Sequence, residues 1–111
     1  MSLVEQKARV AETDHTYERR GALWVGKCLI CNGPLAFDAR TGEGATLEHI
    51  RERARGGTDE EANLGLAHRS CNGEKGVRWD SSRRRRGAGE AAYDAYVDRL
   101  LAKRAARWRA A

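Results

Sequence analysis

Three cysteines, one proline and an aromatic content of 6% are the scarcities of this 111-residue chain. Few aromatics and twelve glycines limit the apolar surface that one small domain can bury. The stretch from about Gly26 to Gly76 is therefore short of core, and a segment of that kind usually gains stability from a metal, from disulfides or from flanking elements. An odd cysteine count excludes a fully paired internal disulfide set and suits a reducing compartment. No apolar run approaches the roughly 20 residues of a membrane-spanning helix. The N-terminus, Leu3-Val4-Glu5-Gln6-Lys7-Ala8-Arg9-Val10, carries charge throughout and has no signal-peptide core. The expectation is a soluble, cytoplasmic protein with no membrane contact.

Charge is present in quantity and unevenly placed. The net charge is +5. Residues 1–75 hold eleven Lys/Arg against twelve Asp/Glu, a net of −1, whereas residues 76–111 hold ten against four, a net of +6. A basic surplus gathered at one end fits either a solvated tail or a polyanionic partner. Nucleic acid is the natural polyanion, and Arg83-Arg84-Arg85-Arg86 is the densest candidate contact.

Three regions follow from the pattern: an N-terminal helical extension over 1–22, a core over 23–80, and a basic linker with a C-terminal amphipathic helix over 81–111. Val4, Ala8 and Ala11 predict a modestly amphipathic helix from Leu3 to about Arg20. Leu35-Ala36-Phe37 and Ala45 to Ile50 read as strands, and Asn63 to Ala67 as a brief return after a charged excursion. A short helix is expected from about Ser70. Tyr93, Tyr96, Val97, Leu100, Leu101, Arg104 and Trp108 keep the rhythm of one helical face, with Asp94, Asp98, Arg99, Lys103 and Arg107 around the remainder.

Cys28-x-x-Cys31 and His68-x-x-Cys71 use every cysteine in the chain at paired spacing. Four N/S donors complete a tetrahedral zinc shell, and a closed shell is structural rather than catalytic. Assigning His68 to another site would leave the zinc one ligand short, which is less economical.

Between these pairs lie Glu48-His49, then Gly56-Gly57-Thr58-Asp59, Asn63-Leu64, and finally Asn72-Gly73-Glu74-Lys75. Taken singly, each is an ordinary turn, cap or surface residue. Their joint order and spacing, from Cys28 to Gly76, resemble the HNH family of metal-dependent nucleases in its H-N-N form. The resemblance implies an α+β fold: a small zinc-stapled ββα-metal (His-Me finger) core, here with flanking N- and C-terminal helices. It implies His49 as the base that activates water, with Glu48 and Asn72 holding Mg²⁺ or Mn²⁺. It further implies Asn63 as the brace of the loop that orients the histidine, and Lys75 as a phosphate contact. Two departures stand out. His68 replaces the first cysteine of the family's usual second pair, and Arg51-Glu52-Arg53 stands where the family often has proline.

The function expected is a divalent-metal-dependent DNA endonuclease, with RNA left open as a substrate. The chain would act as a monomer that nicks or a homodimer that cuts both strands. The alternative is a non-catalytic, zinc-stabilised nucleic-acid-binding module, which needs the zinc ligands and arginines but neither His49 nor Asn72. A third reading is a partner-binding protein that uses its C-terminal helix. One geometric demand accompanies the nuclease reading. Adjacent strand residues point to opposite faces, so Glu48 and His49 can share a site only if the strand ends or bulges between them and Arg51.

Overall fold

The structure, a computed structural model, describes residues 1–79 and 89–109. Its first element, α1 (Leu3–Glu12), begins at a reciprocal cap in which the Ser2 hydroxyl accepts the Glu5 amide and the Glu5 carboxylate accepts the Ser2 amide. Helix α1 presents Val10 and Ala11 to the core, and the Lys7 ammonium donates to the Gly42 carbonyl at 2.8 Å. The helix is shorter than its sequence suggests, and the expected continuation to Arg20 is corrected. The Thr13 hydroxyl turns back onto the Arg9 and Val10 carbonyls. Asp14 Oδ1 then accepts both the amide and the hydroxyl of Thr16, closing a side-chain turn. Tyr17 is buried, and Glu18–Arg20 is strand β1 rather than helix.

Strands β1, β2 (Leu23–Lys27) and β3 (Pro34–Asp38) form an antiparallel meander in that order. Trp24 lies opposite Phe37 and Gly26 opposite Leu35. The alternation in β3 buries Leu35 and Phe37 and exposes Ala36. A second, two-stranded antiparallel sheet pairs β4 (Thr46–His49) with β5 (Leu64–Ala67). Helix α2 (Arg69–Arg78) follows directly, and α3 (Glu90–Ala106) closes the described chain. Among the described residues, small antiparallel sheets and three α-helices make this a mixed α+β fold, in agreement with the expected ββα core.

Apolar burial falls into two groups that share the β4–β5 pair. Leu64 and Leu66, on one face of β5, join Val10, Tyr17, Trp24 and Phe37. Gly65 faces the other way, where a Cβ would come within 2.4 Å of the Leu29 side chain. Leu29 belongs to the second group, in which Ile50 and Trp79 meet Tyr93, Val97 and Leu100 of α3. The periodic face read from the sequence packs through Tyr93, Val97, Leu100 and Arg104, whereas Trp108 lies beyond the end of α3 and is exposed.

The cations of α3 depart from expectation. Periodicity puts Lys103 and Arg107 around the solvated remainder of the helix, yet Arg107 is buried and Lys103 half-buried. The Lys103 ammonium donates to the Leu29 carbonyl at 2.6 Å, and Arg107 donates to Lys27 and Cys28 carbonyls and to Asn32 Oδ1. Arg104, 1% exposed, reaches the Leu64 carbonyl at 2.8 Å and both oxygens of Thr13. These side chains bind backbone carbonyls of the fold, so part of the C-terminal basic surplus is internal structure.

Leu100→Ala removes a buried anchor of α3 and should lower the unfolding free energy by about 3 kcal/mol. Denaturant titration at fixed zinc concentration measures this. An unchanged midpoint would mean that α3 does not contribute to the cooperative fold.

Candidate metal centre and catalytic cleft

The turn between β2 and β3 brings the first cysteine pair together. Cys28 donates its amide to the Gly33 carbonyl, the Asn32 amide returns to the Cys28 carbonyl, and Asn32 takes a left-handed backbone with φ of 63°. His68, the N-cap of α2, and Cys71 in its first turn supply the second pair. The ligand atoms of Cys28, Cys31, His68 and Cys71 all lie within 4.8 Å of one another. His68 Nδ1 is 3.3 Å from Cys31 Sγ and 3.7 Å from Cys71 Sγ. A tetrahedral zinc with ordinary Zn–S and Zn–N bonds separates such atoms by about 3.5 Å.

The surroundings fit a dication as well. His68 Nε2 lies 2.8 Å from the Pro34 carbonyl. That contact makes Nε2 the protonated nitrogen and leaves the Nδ1 lone pair for metal, the usual support of a ligating imidazole. The Gly33 amide donates to Cys31 Sγ and the His68 amide to Cys28 Sγ. Cys31 is held below the ordinary thiol value, chiefly by the Gly33 amide. Cys71 is pushed up to about 12, first by desolvation and then by the neighbouring thiols. Thiolates this close repel one another, and a zinc ion between them removes that repulsion.

The other constellation gathers in a cleft of about 310 Å³ lined by Glu48, His49, Glu52, Arg53, Asn72 and Lys75, among others. Glu48 and His49 both reach it because β4 ends at His49 and the chain bends at Ile50. The Lys75 ammonium shows why. It donates to the consecutive carbonyls of His49 and Ile50, at 2.9 and 3.0 Å. Consecutive carbonyls of a regular strand point to opposite sides, so one ammonium meets both only where the strand turns.

Glu48 is 2% exposed, and Oε1 sits 2.6 Å from Lys75 Nζ. Neither carboxylate oxygen has a well-directed hydrogen bond within the described chain. Burial raises the Glu48 carboxyl above its ordinary value, with Lys75 opposing the shift. A buried carboxylate with unmatched lone pairs is suited to a hard cation. Asn72, one residue past Cys71, lines the same cleft. Lys75, which the resemblance implies as a phosphate contact, is 5% exposed, and its ammonium lies against Glu48 and two carbonyls.

Asn63, 8% exposed, ties the loop ends together. Its Oδ1 accepts the Arg51 amide at 2.9 Å, and its Nδ2 donates to the carbonyls of Arg51 and Thr58. Gly57 packs so tightly that a Cβ would lie 1.8 Å from the Arg51 carbonyl oxygen, and Gly56 holds a φ of 88°. The double glycine is what lets this loop fold back on itself. Tyr93 of α3 supports it from beneath, with its hydroxyl accepting the Glu52 amide and its ring 4.0 Å from the Arg55 guanidinium.

Two residues of this site, Asp59 and Arg53, receive no role from the sequence, although Asp59 closes the Gly56-Gly57-Thr58-Asp59 segment that contributes to the family resemblance. His49 Nε2 lies 2.8 Å from Asp59 Oδ1, and Arg53 brackets the same carboxylate. Hydrogen bonds from Arg53 first, and from His49 second, hold the Asp59 carboxyl below its ordinary value. Asp59 opens an acidic run, Asp59-Glu60-Glu61, so its residue type alone does not mark it, and the adjoining double glycine is the signal that could have. The Arg83–Arg86 cluster lies outside the described residues.

Residues 28–78 match the model of the HNH endonuclease family. The chain therefore carries an HNH domain over that stretch, and its Cys/Cys/His/Cys set fits the zinc-containing form. Such a domain points to a nuclease or nucleic-acid-related function. No curated protein and no solved structure matches the chain.

The purified chain should carry about one zinc ion per molecule. Chelation, or Cys71→Ser, should lower its melting temperature by about 10 °C or more. Stoichiometric zinc and unchanged melting in the serine variant would overturn the four-ligand assignment.

Proposed function

We propose that the protein is a divalent-metal-dependent DNA endonuclease that hydrolyses phosphodiester bonds, with His49 as general base. The observation that carries this reading is the cleft itself. A buried carboxylate without directed hydrogen bonds, Glu48, stands beside a partly exposed imidazole, His49, and an amide, Asn72. Mg²⁺ or Mn²⁺ held by Glu48 and Asn72 would supply positive charge for the phosphate and for the departing 3′-oxygen. His49 takes a proton from water, and the electron pair left on that oxygen forms the new bond to phosphorus. The bond from phosphorus to the 3′-oxygen breaks, its pair leaving with that oxygen. Asn63 serves by holding the loop between Arg51 and Thr58 against the end of β4. Lys75 serves by fixing the turn after His49 and by lending Glu48 a counter-charge. Arg53, exposed at the cleft rim, suits a phosphate backbone. Free thiols throughout suit a reducing cytoplasm.

Supercoiled plasmid tests the reading. With Mg²⁺ or Mn²⁺ the zinc-loaded protein should produce nicked circles, and His49→Ala should lower the rate by about 10³-fold while DNA binding persists. Linear product at the earliest times would indicate paired active sites. If wild type and His49→Ala bind DNA equally and neither nicks it with either metal, the protein is the non-catalytic zinc module instead.

A further inference from the structure

The loop after β4 contains a contact that the roles assigned above do not use. Asp59 Oδ1 lies 2.8 Å from His49 Nε2. The carboxylate is itself aimed, because Arg53 Nε donates to Oδ1 at 2.8 Å and its Nη2 is paired with Oδ2. The preceding residue is also held, since Asn63 Nδ2 donates to the Thr58 carbonyl at 2.8 Å. Among the described residues, nothing hydrogen-bonds His49 Nδ1.

We propose that Asp59 is the positioning residue for His49: its carboxylate accepts the Nε2 proton, so that Nδ1 carries the lone pair offered to the cleft. The proposal rests on the nuclease reading for its purpose, although the tautomer it specifies is a property of the protein alone. A neutral imidazole protonates one nitrogen and offers the other, and the partner of the first decides which. With an acceptor at Nε2, the base is Nδ1. When Nδ1 gains the water's proton, Asp59 faces an imidazolium and opposes its charge. Asn63 then acts on the histidine through two links, first the Thr58 carbonyl and the adjoining Asp59, then the ring. Arg53, standing where the family often has proline, gains a role that proline could not perform.

The bland alternative is a surface ion pair, and exposure decides its weight. The side chains of Asp59 and Arg53 are 55% and 65% exposed. Pairs so open contribute little to folding, so Asp59 can be replaced with the fold intact. A clean test of positioning follows from that.

Long-range ¹H–¹⁵N spectra of the zinc-loaded protein, at mildly alkaline pH where free imidazole is neutral, read each ring's tautomer. The His49 signals are assigned by their loss in His49→Ala. Wild type should show His49 protonated at Nε2. Asp59→Ala should give a mixture of tautomers and about 10- to 100-fold slower nicking, the usual effect of removing a residue that orients a histidine. KM and melting temperature should stay unchanged. Asp59→Asn, which keeps a neutral acceptor, should retain the tautomer and recover part of the rate. A wild type protonated at Nδ1, or an Asp59→Ala protein with wild-type tautomer and rate, overturns the proposal. A wild type protonated at Nε2 whose tautomer is lost in Asp59→Ala, but which never nicks DNA, supports the positioning and overturns the nuclease reading instead.

Discussion

One buried ammonium organises the HNH domain. Lys75 rises from the middle of α2 into the end of β4 and meets the His49 carbonyl, the Ile50 carbonyl and the Glu48 carboxylate. An unpaired charge at that depth would be destabilising by several kcal/mol, so the surroundings must supply oxygens. They can do so only if the strand stops. The turn at Ile50 brings Glu48 and His49 to one cleft and launches the loop that returns through Asp59 to Asn63. Without the ammonium, β4 would have no reason to end where it does, and its two polar residues would face apart.

Helix α2 carries this interaction and the zinc centre together. Cys71 belongs to the thiol cluster and Asn72 to the cleft, consecutive residues turned about 100° from each other around the helix. Anchoring His68 and Cys71 against the Cys28–Cys31 turn therefore fixes the helix both in height and in rotation. That rotation aims Asn72 and Lys75. A zinc ion held by these four residues would secure the position of α2, which so small a core supports only weakly by apolar burial alone. Helix α3 completes the support from outside the matched stretch. Lys103 and Arg107 bind carbonyls of the Cys28–Cys31 turn, while Tyr93 and Trp79 lie under the loop.

What the sequence makes legible is set by how local each signal is. The zinc ligands are readable because two x-x spacings exhaust the cysteines, and α3 is readable because its apolar face repeats along one helix. The strand break beside His49 follows from the stereochemistry of adjacent residues, but its cause does not, because Lys75 lies far along the chain. Sequence alone extends α1 to Arg20, since charged residues such as Glu18-Arg19-Arg20 suit a helix surface as well as an exposed strand. Thr13, Asp14 and Thr16 decide otherwise through side-chain turns that propensity alone does not rank. Asp59 is hidden by its acidic neighbours, and its position depends on Asn63 and Gly57 acting from either side.

Charge illustrates the same limit in the other direction. A net of +6 after residue 75 invites a polyanion, yet Arg104 is almost wholly buried, and Lys103, Arg107 and Arg109 bind backbone carbonyls of the fold. Four of the ten cations in that region are therefore spent on internal structure, and a count of formal charge overstates the field they present. Arg53, the arginine that lines the cleft, is exposed but already paired with Asp59, so it too is partly matched within the fold. For a domain this small, affinity for a phosphate backbone depends on which cations the fold leaves unmatched near the cleft, and that distribution is decided by packing rather than by composition.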